Sequence, residues 1–292
     1  MVQGSIVGPA LFTIFIDKLI RRIKLPGLAF ADDYKMIADV CLLTQAEVQR
    51  AIKDVADRSD EVEMSLSIEK CGVLHGGTKQ PLFDYVIKDA VLQTFETVKD
   101  LGIIRSASGS YSDHVRAVAN KASRVAGAIR HAFFNSSPKL VWPAFQSYVL
   151  PILMYASPVW NPTLIKDIQY MERVQRRFTK RLRGFSALSY ADRLKELGAH
   201  TLAMRRNCAD AVLIHRALHG VINYPACDLG VRISTNHTRG DSIRLVQRRA
   251  TRHVSSAMFC TCATSAWNKL PIRILSARNL RSFKTLLHNH FH

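Results

Sequence analysis

The chain has no long hydrophobic run. No stretch of its 292 residues reaches the ~20 consecutive apolar residues that span a bilayer. Residues 141–160 come nearest, but Gln146, Pro151, Ser157 and Pro158 interrupt them, so no membrane partner is expected. The start, Met1-Val2-Gln3-Gly4, lacks the basic segment of a secretory signal. Cysteine is sparse and scattered: Cys41, Cys71, Cys208, Cys227, Cys260 and Cys262. That distribution argues against a disulfide framework and for reduced thiols in an intracellular protein, nuclear or cytoplasmic. Cys260-Thr261-Cys262 with His288, His290 and His292 is too tightly spaced for the usual Cys-x₂₋₄-Cys zinc pair, so zinc is not expected. There is no internal repeat or low-complexity tract. Acidic residues are the most telling shortage: only 8 fall within residues 106–292.

What is present is a chain of ordinary globular character, 48% hydrophobic and large enough for one large domain or two ordinary ones. Its charge is divided unequally. Residues 1–105 carry 13 Lys and Arg against 15 Asp and Glu, a net of −2. Residues 106–292 carry 28 against 8, a net of +20, which accounts for the overall +18. Such asymmetry fits one module that carries chemistry or packing and another that faces a polyanion. A well-solvated basic helical surface is the plainer reading.

Local patterns divide the chain in the same place. Gly8-Pro9 opens an apolar segment to Ile20 that reads as a buried helix. After Pro26-Gly27, Leu28–Phe30 and Tyr34–Ala38 are strand candidates on either side of Ala31-Asp32-Asp33, a hairpin with acids at its turn. Thr44-Gln45-Ala46-Glu47 is a capping box that starts an amphipathic helix to about Met64, with Val48, Ile52, Val55, Val62 and Met64 inward. Ser67–Leu74 reads as a turn feeding a strand. Tyr85–Ile87 and Ala90–Leu92 flank Lys88-Asp89 as a second hairpin, and Val98–Ile104 is placed to close the sheet. Beyond residue 105 the apolar spacing turns helical: Val115–Phe134, Pro138 to about Tyr155, Ile168–Leu182, a start at Ser189, and Thr201–Leu218. The third of these exposes Arg173, Arg176, Arg177, Lys180, Arg181 and Arg183, which would neutralise phosphates independently of sequence.

Paired carboxylates at a tight turn suit phosphoryl transfer. Two Mg²⁺ ions about 3.5–4 Å apart activate the attacking hydroxyl and hold the triphosphate, and hard carboxylate oxygens suit them. Asp32 is the stronger candidate ligand and Asp33 the second. An Asx-type turn chosen for its backbone hydrogen bonds is the alternative.

The surrounding residues carry a resemblance. Val2-Gln3-Gly4-Ser5-Ile6-Val7-Gly8-Pro9-Ala10-Leu11-Phe12 resembles the Pro-Gln-Gly-Ser segment of non-LTR (LINE-type) retrotransposon reverse transcriptases. Phe30-Ala31-Asp32-Asp33 resembles that family's aromatic-Ala-Asp-Asp box. Leu66-Ser67-Ile68-Glu69-Lys70-Cys71 is similar to its Leu-Asn-x-x-Lys-Cys segment, and Val98–Ile103 to its Lys-Asp-Leu-Gly element. Tyr155–Pro162, Glu172–Arg177, Leu194–Gly198 and Trp267–Pro271 resemble the post-palm region of jockey-like elements. The ordered set covers nearly the whole chain.

The resemblance implies an α+β fold. Residues 1–105 would form a partial palm, an antiparallel sheet with packed helices, and residues 106–292 a mainly helical thumb and C-terminal extension. It implies Asp32 and Asp33 as catalytic Mg²⁺ ligands and Lys70 as an acid or charge neutraliser near the leaving pyrophosphate. Gln3, Gly4, Ser5 and Phe30 would lie against template or nucleotide. Implied partners are an RNA template, a DNA primer and a dNTP. The sequence departs at Val2, where the family has Pro, and at Ser67, where it has Asn. The family places a third metal-binding Asp and the fingers upstream of the Gln-Gly segment, where this chain has Met1 and Val2. The expectation is therefore a fragment that binds Mg²⁺ weakly or not at all and does not polymerise alone. A non-catalytic nucleic-acid-binding remnant is the other reading.

Overall fold

The computed structural model describes residues 4–77, 82–234, 243–247 and 259–291. It divides into two compact units: residues 1–98 with 106–109, and residues 99–105 with 110–292.

The first unit is α+β. Helix α1 (Gly8–Ile20) starts with proline in its first turn, where a missing N–H costs nothing. Strands β1 (Gly27–Phe30) and β2 (Asp33–Met36) form an antiparallel hairpin, with Gly27 opposite Met36 and Phe30 opposite Asp33. Gly27 is required because the Tyr34 ring lies where a Cβ would stand. Helix α2 (Gln45–Glu61) begins at the expected capping box: Thr44 Oγ1 accepts from Glu47 N, and Thr44 N donates to the Glu47 carboxylate at 2.8 Å.

A 3₁₀ turn (Ile68–Lys70) leads to β3 (Gly72–Val73). Strands β4 (Val86–Ile87) and β5 (Ala90–Val91) form the second hairpin around Lys88 and Asp89, both at positive φ as a type I′ turn requires. Strand β6 (Gln93–Thr94) runs parallel to β3. Strands β7 (Thr97–Asp100) and β8 (Ile103–Ser106) pair as a hairpin.

The core gathers Val48, Ile52 and Ala56 of α2 against Tyr85, Ile87 and Leu92. Gln49 completes the seam: Val86 N donates to its Oε1 at 2.9 Å, and its Nε2 donates to Val86 O at 2.6 Å.

Three expectations need correction. The strands form four separate two-stranded sheets rather than one, and 97–106 makes its own hairpin instead of closing a larger sheet. Short strands of two to four residues offer too few ladder bonds to extend pairing. Helix α1 has buried-helix composition, yet Leu11, Ile14 and Phe15 are exposed, because the first unit's core takes no residue from α1. Helix α2 ends at Glu61, leaving Val62 and Met64 half-buried beyond it.

The second unit is helical: α3 (Ser112–Ala132), α4 (Pro138–Tyr148), α5 (Leu150–Met154), α6 (Ser157–Trp160), α7 (Ile165–Lys180), α8 (Tyr190–Glu196), α9 (Leu202–Leu218), α10 (Phe259–Asn268), α11 (Ile272–Leu275) and α12 (Leu280–Phe291). The helix expected from Pro138 to Tyr155 is two pieces. Pro151 has no N–H to give and clashes with the preceding turn, and the chain redirects at Val149.

One core joins α3, α4, α5 and α7 through Val115, Ala122, Phe145, Leu153, Met171 and Phe178. A second joins α9, α10 and α12 through Ile214, Trp267 and Phe283. Among the described residues no helix is long and apolar enough to cross a membrane.

Candidate functional site

The acidic pair sits where the hairpin pattern put it. Ala31 and Asp32 form the two-residue turn between β1 and β2, with Ala31 at φ 51°, and Asp33 starts β2. Phe30, Asp32 and Asp33 are all exposed. Neither carboxylate has a hydrogen bond or ion pair among the described residues, so neither is committed to holding the turn.

Lys70 ends the 3₁₀ turn, exposed, with its N–H donating to Ser67 O at 2.9 Å. Gly4 and Ser5 are exposed and Gln3 lies outside the described residues. No hydrogen bond or ion pair joins Gly4, Ser5 or Lys70 to the Asp pair. Among the described residues no group of three or more His, Cys, Asp or Glu side chains is arranged to hold a metal ion. Mg²⁺ in phosphoryl-transfer sites keeps several waters and is held by one or two carboxylates plus substrate phosphates, so the open Asp32-Asp33 turn offers part of a coordination shell and no closed cage. The described residues thus supply two of the carboxylates of the metal centre that the resemblance implies and do not complete it.

The second candidate lies in the helical unit, along α7. Its inward face holds Met171, Val174 and Phe178 as the spacing predicts. Its outward face lines a groove of about 700 Å³ with Arg173, Arg176, Arg177 and Lys180. Thr201 and Ala203, at the start of α9, line it too. Arg181 and Arg183 are exposed just past the end of α7 and do not line the groove. The structure therefore brings four of the six expected cations together.

The groove is built on a buried polar network that sequence reasoning missed. Glu172 is 7% exposed, and its carboxylate accepts from Leu202 N at 3.0 Å, at the N-terminus of α9, where negative charge is favoured. Tyr190 donates its hydroxyl to Glu172. Gln175, fully buried, donates from Nε2 to Tyr190 Oη at 3.0 Å and to His200 O at 2.9 Å. Burial, and then the Glu172 hydrogen bond and charge, push the Tyr190 phenol well above its usual range. The Arg176 guanidinium lies over the Tyr190 ring at 4.8 Å, and Arg193 at 5.4 Å.

A further polar cluster pins α6 to α9. Arg206 Nε donates to Asn161 Oδ1 and Asn161 Nδ2 donates to Asp210 Oδ2, each at 2.9 Å. Arg206 and Asp210 are both 1% exposed, and Arg206 Nη1 and Asp210 Oδ1 have no hydrogen-bond partner among the described residues. Burial raises the Asp210 carboxyl to about 6, against the opposing pull of the Asn161 hydrogen bond and the Arg206 charge. Only the position of Glu172 and Asn161 inside resembling segments singled them out in the sequence; Arg206 and Asp210 gave no signal.

Comparison with known proteins bears on the first unit. Residues 1–105 match the family described as reverse transcriptase (RNA-dependent DNA polymerase). Within this reverse-transcriptase-like segment lie the Asp32-Asp33 turn and Lys70. An uncharacterized Caenorhabditis elegans protein is 24% identical over 131 residues, which is 44% of this chain and 66% of that protein. The match thus spans just under two thirds of the curated relative's length. No solved structure matches.

Proposed function

We propose that this chain is part of a retrotransposon-type RNA-directed DNA polymerase of the non-LTR class, that it binds nucleic-acid backbones, and that it does not polymerise on its own. The supporting observation is the groove on α7, where four cationic side chains line one surface with no exposed carboxylate beside them. Its one acid, Glu172, is buried and occupied by Leu202 N–H and the Tyr190 hydroxyl. Such a surface attracts phosphates by charge and releases counterions on binding, without reading bases. The partners that follow from the family are an RNA template, a DNA primer and a dNTP.

The reverse-transcriptase match of residues 1–105 supports the polymerase lineage. Asp32 and Asp33 are the proposed metal ligands, with Lys70 as a charge neutraliser and Gln3, Gly4, Ser5 and Phe30 as template- and nucleotide-facing positions. Two carboxylates hold too little negative charge to bind a pair of Mg²⁺ ions tightly, so Mg²⁺ binding in this chain is proposed to be weak or absent. The division at residues 105 and 106 is proposed as the palm boundary, with the basic helices as thumb and extension.

Primer extension by the purified chain with Mg²⁺ and dNTPs tests the inactive reading. The expected result is no extended product, with the primer–template still bound at low salt. Extension that Asp32→Asn abolishes would overturn it. A non-catalytic nucleic-acid-binding role is the alternative favoured by the same groove. A complete polymerase assembly restored to activity by added carboxylate-bearing sequence would argue against that alternative.

A further inference from the structure

We infer that the α7 groove prefers a single strand to a duplex, with a base stacked on the guanidinium of Arg176. This rests on the nucleic-acid reading of the same groove and adds the form of the ligand.

Two features carry it. The first is shape. The groove is concave and holds about 700 Å³, room for roughly one or two nucleotides rather than for a helix. A duplex presents its phosphates on a convex ridge and keeps its base faces stacked inside. A single strand enters a concave groove with its bases free.

The second is the setting of Arg176. Its guanidinium carbon lies over the Tyr190 ring, 4.8 Å from the centroid. The tip of that ring is held in place, because its hydroxyl donates to Glu172 and accepts from Gln175 Nε2 at 3.0 Å. From below, Arg193 Nη1 donates to Arg176 O at 3.0 Å and fixes the backbone. Arg176 is nevertheless exposed and lines the groove. A planar cation that packs on an aromatic ring and stays exposed to a groove can serve as a stacking platform for an unpaired base. Arg173, Arg177 and Lys180 follow at i, i+4 and i+7, on one face of α7, where successive phosphates of the same strand can meet them.

The test uses the full chain and fluorescence anisotropy with a labelled oligothymidylate and a labelled duplex of equal length. Arg176→Lys keeps the charge and removes the plane. The expected result is tighter binding of the single strand by the unaltered chain. In Arg176→Lys its affinity falls by at least about fivefold, with duplex affinity and the salt slope unchanged. Tyr190→Phe keeps the ring but removes the hydroxyl that anchors it, and is expected to weaken the strand preference less than Arg176→Lys does. Equal affinity for the two ligands overturns the inference, as does an Arg176→Lys loss that is equal for both or absent for both. Binding without strand preference removes only this inference. No binding of either ligand at low salt removes the nucleic-acid reading as well.

Discussion

The two units of this chain handle burial and charge differently. The first has one small core around α2, three two-stranded sheets and many exposed apolar side chains, among them Ile6 at 96%, Leu42 at 81% and Phe30 at 62% exposure. The second has two helical cores in which Trp160, Trp267, Phe145 and Phe283 are buried to within 1%. It also buries charged groups outright, Glu172, Arg206 and Asp210, and offsets part of their cost with hydrogen bonds. The candidate chemistry is arranged the other way about. The Asp32-Asp33 pair sits on an open turn with no supporting partners, whereas the basic groove stands on a network of buried hydrogen bonds. Pre-organisation lies with the binding surface, not with the acidic pair.

The largest effect that can break this contrast is in the cores. Trp160 is a member of the first helical core, stands edge-on to His114 of α3 at 4.9 Å, and donates its indole N–H to Tyr155 O at 2.8 Å. Trp160→Ala is expected to cost about 3–5 kcal/mol by urea denaturation. Phe30→Ala, on the exposed hairpin, is expected to change stability by no more than about 0.5 kcal/mol. Equal costs would erase the distinction between the units.

A smaller effect sharpens the account of the buried charges. Asp210 has a folded pKa of about 6, above its unfolded value of 3.8. A carboxyl that holds its proton more tightly in the fold adds stability as pH falls from about 6 towards 3.8, and that stability is lost as pH rises through the same window. The stability of the wild type relative to Asp210→Asn should therefore increase on acidification across this window, by at most about 3 kcal/mol. Burial lowers the pKa of His215 and His114, which acts in the opposite direction, costing stability as pH falls below 6.5, but it is common to both proteins and cancels in the difference. Parallel pH curves for the two would contradict the assignment.

Local chemistry was legible in the sequence. The capping box at Thr44 and Glu47, the Lys88-Asp89 turn and the acidic hairpin depend on neighbours a few residues apart, and each formed where the pattern placed it. The inward stripe of α7 was readable for the same reason. Pairing between strands was not, because two-residue strands carry no periodic signal that specifies a partner. The roles of several motif residues also depended on distant partners. Glu172 caps a helix 30 residues on, and Asn161 bridges Arg206 and Asp210 from 45 and 49 residues away. Asn268 accepts from Leu245 N at 2.9 Å and donates to Leu245 O at 2.8 Å, another long-range pin inside a resembling segment. Gly198 closes α8 with φ 54°, a conformation that favours glycine, and lets Ala199 N reach Leu194 O at 2.8 Å. These segments of the helical region hold helix ends and crossings in place, so packing alone gives their polar residues a role.

The central claim is that the α7 groove binds nucleic-acid backbone by charge. The most direct measurement is the salt dependence of single-strand affinity for the unaltered chain and for the triple variant Arg173→Gln, Arg177→Gln, Lys180→Gln. Each phosphate contact contributes about 0.7 to the slope of log affinity against log salt, so the variant's slope should be shallower by about 2. An unchanged slope, with the variant folded, would contradict the account.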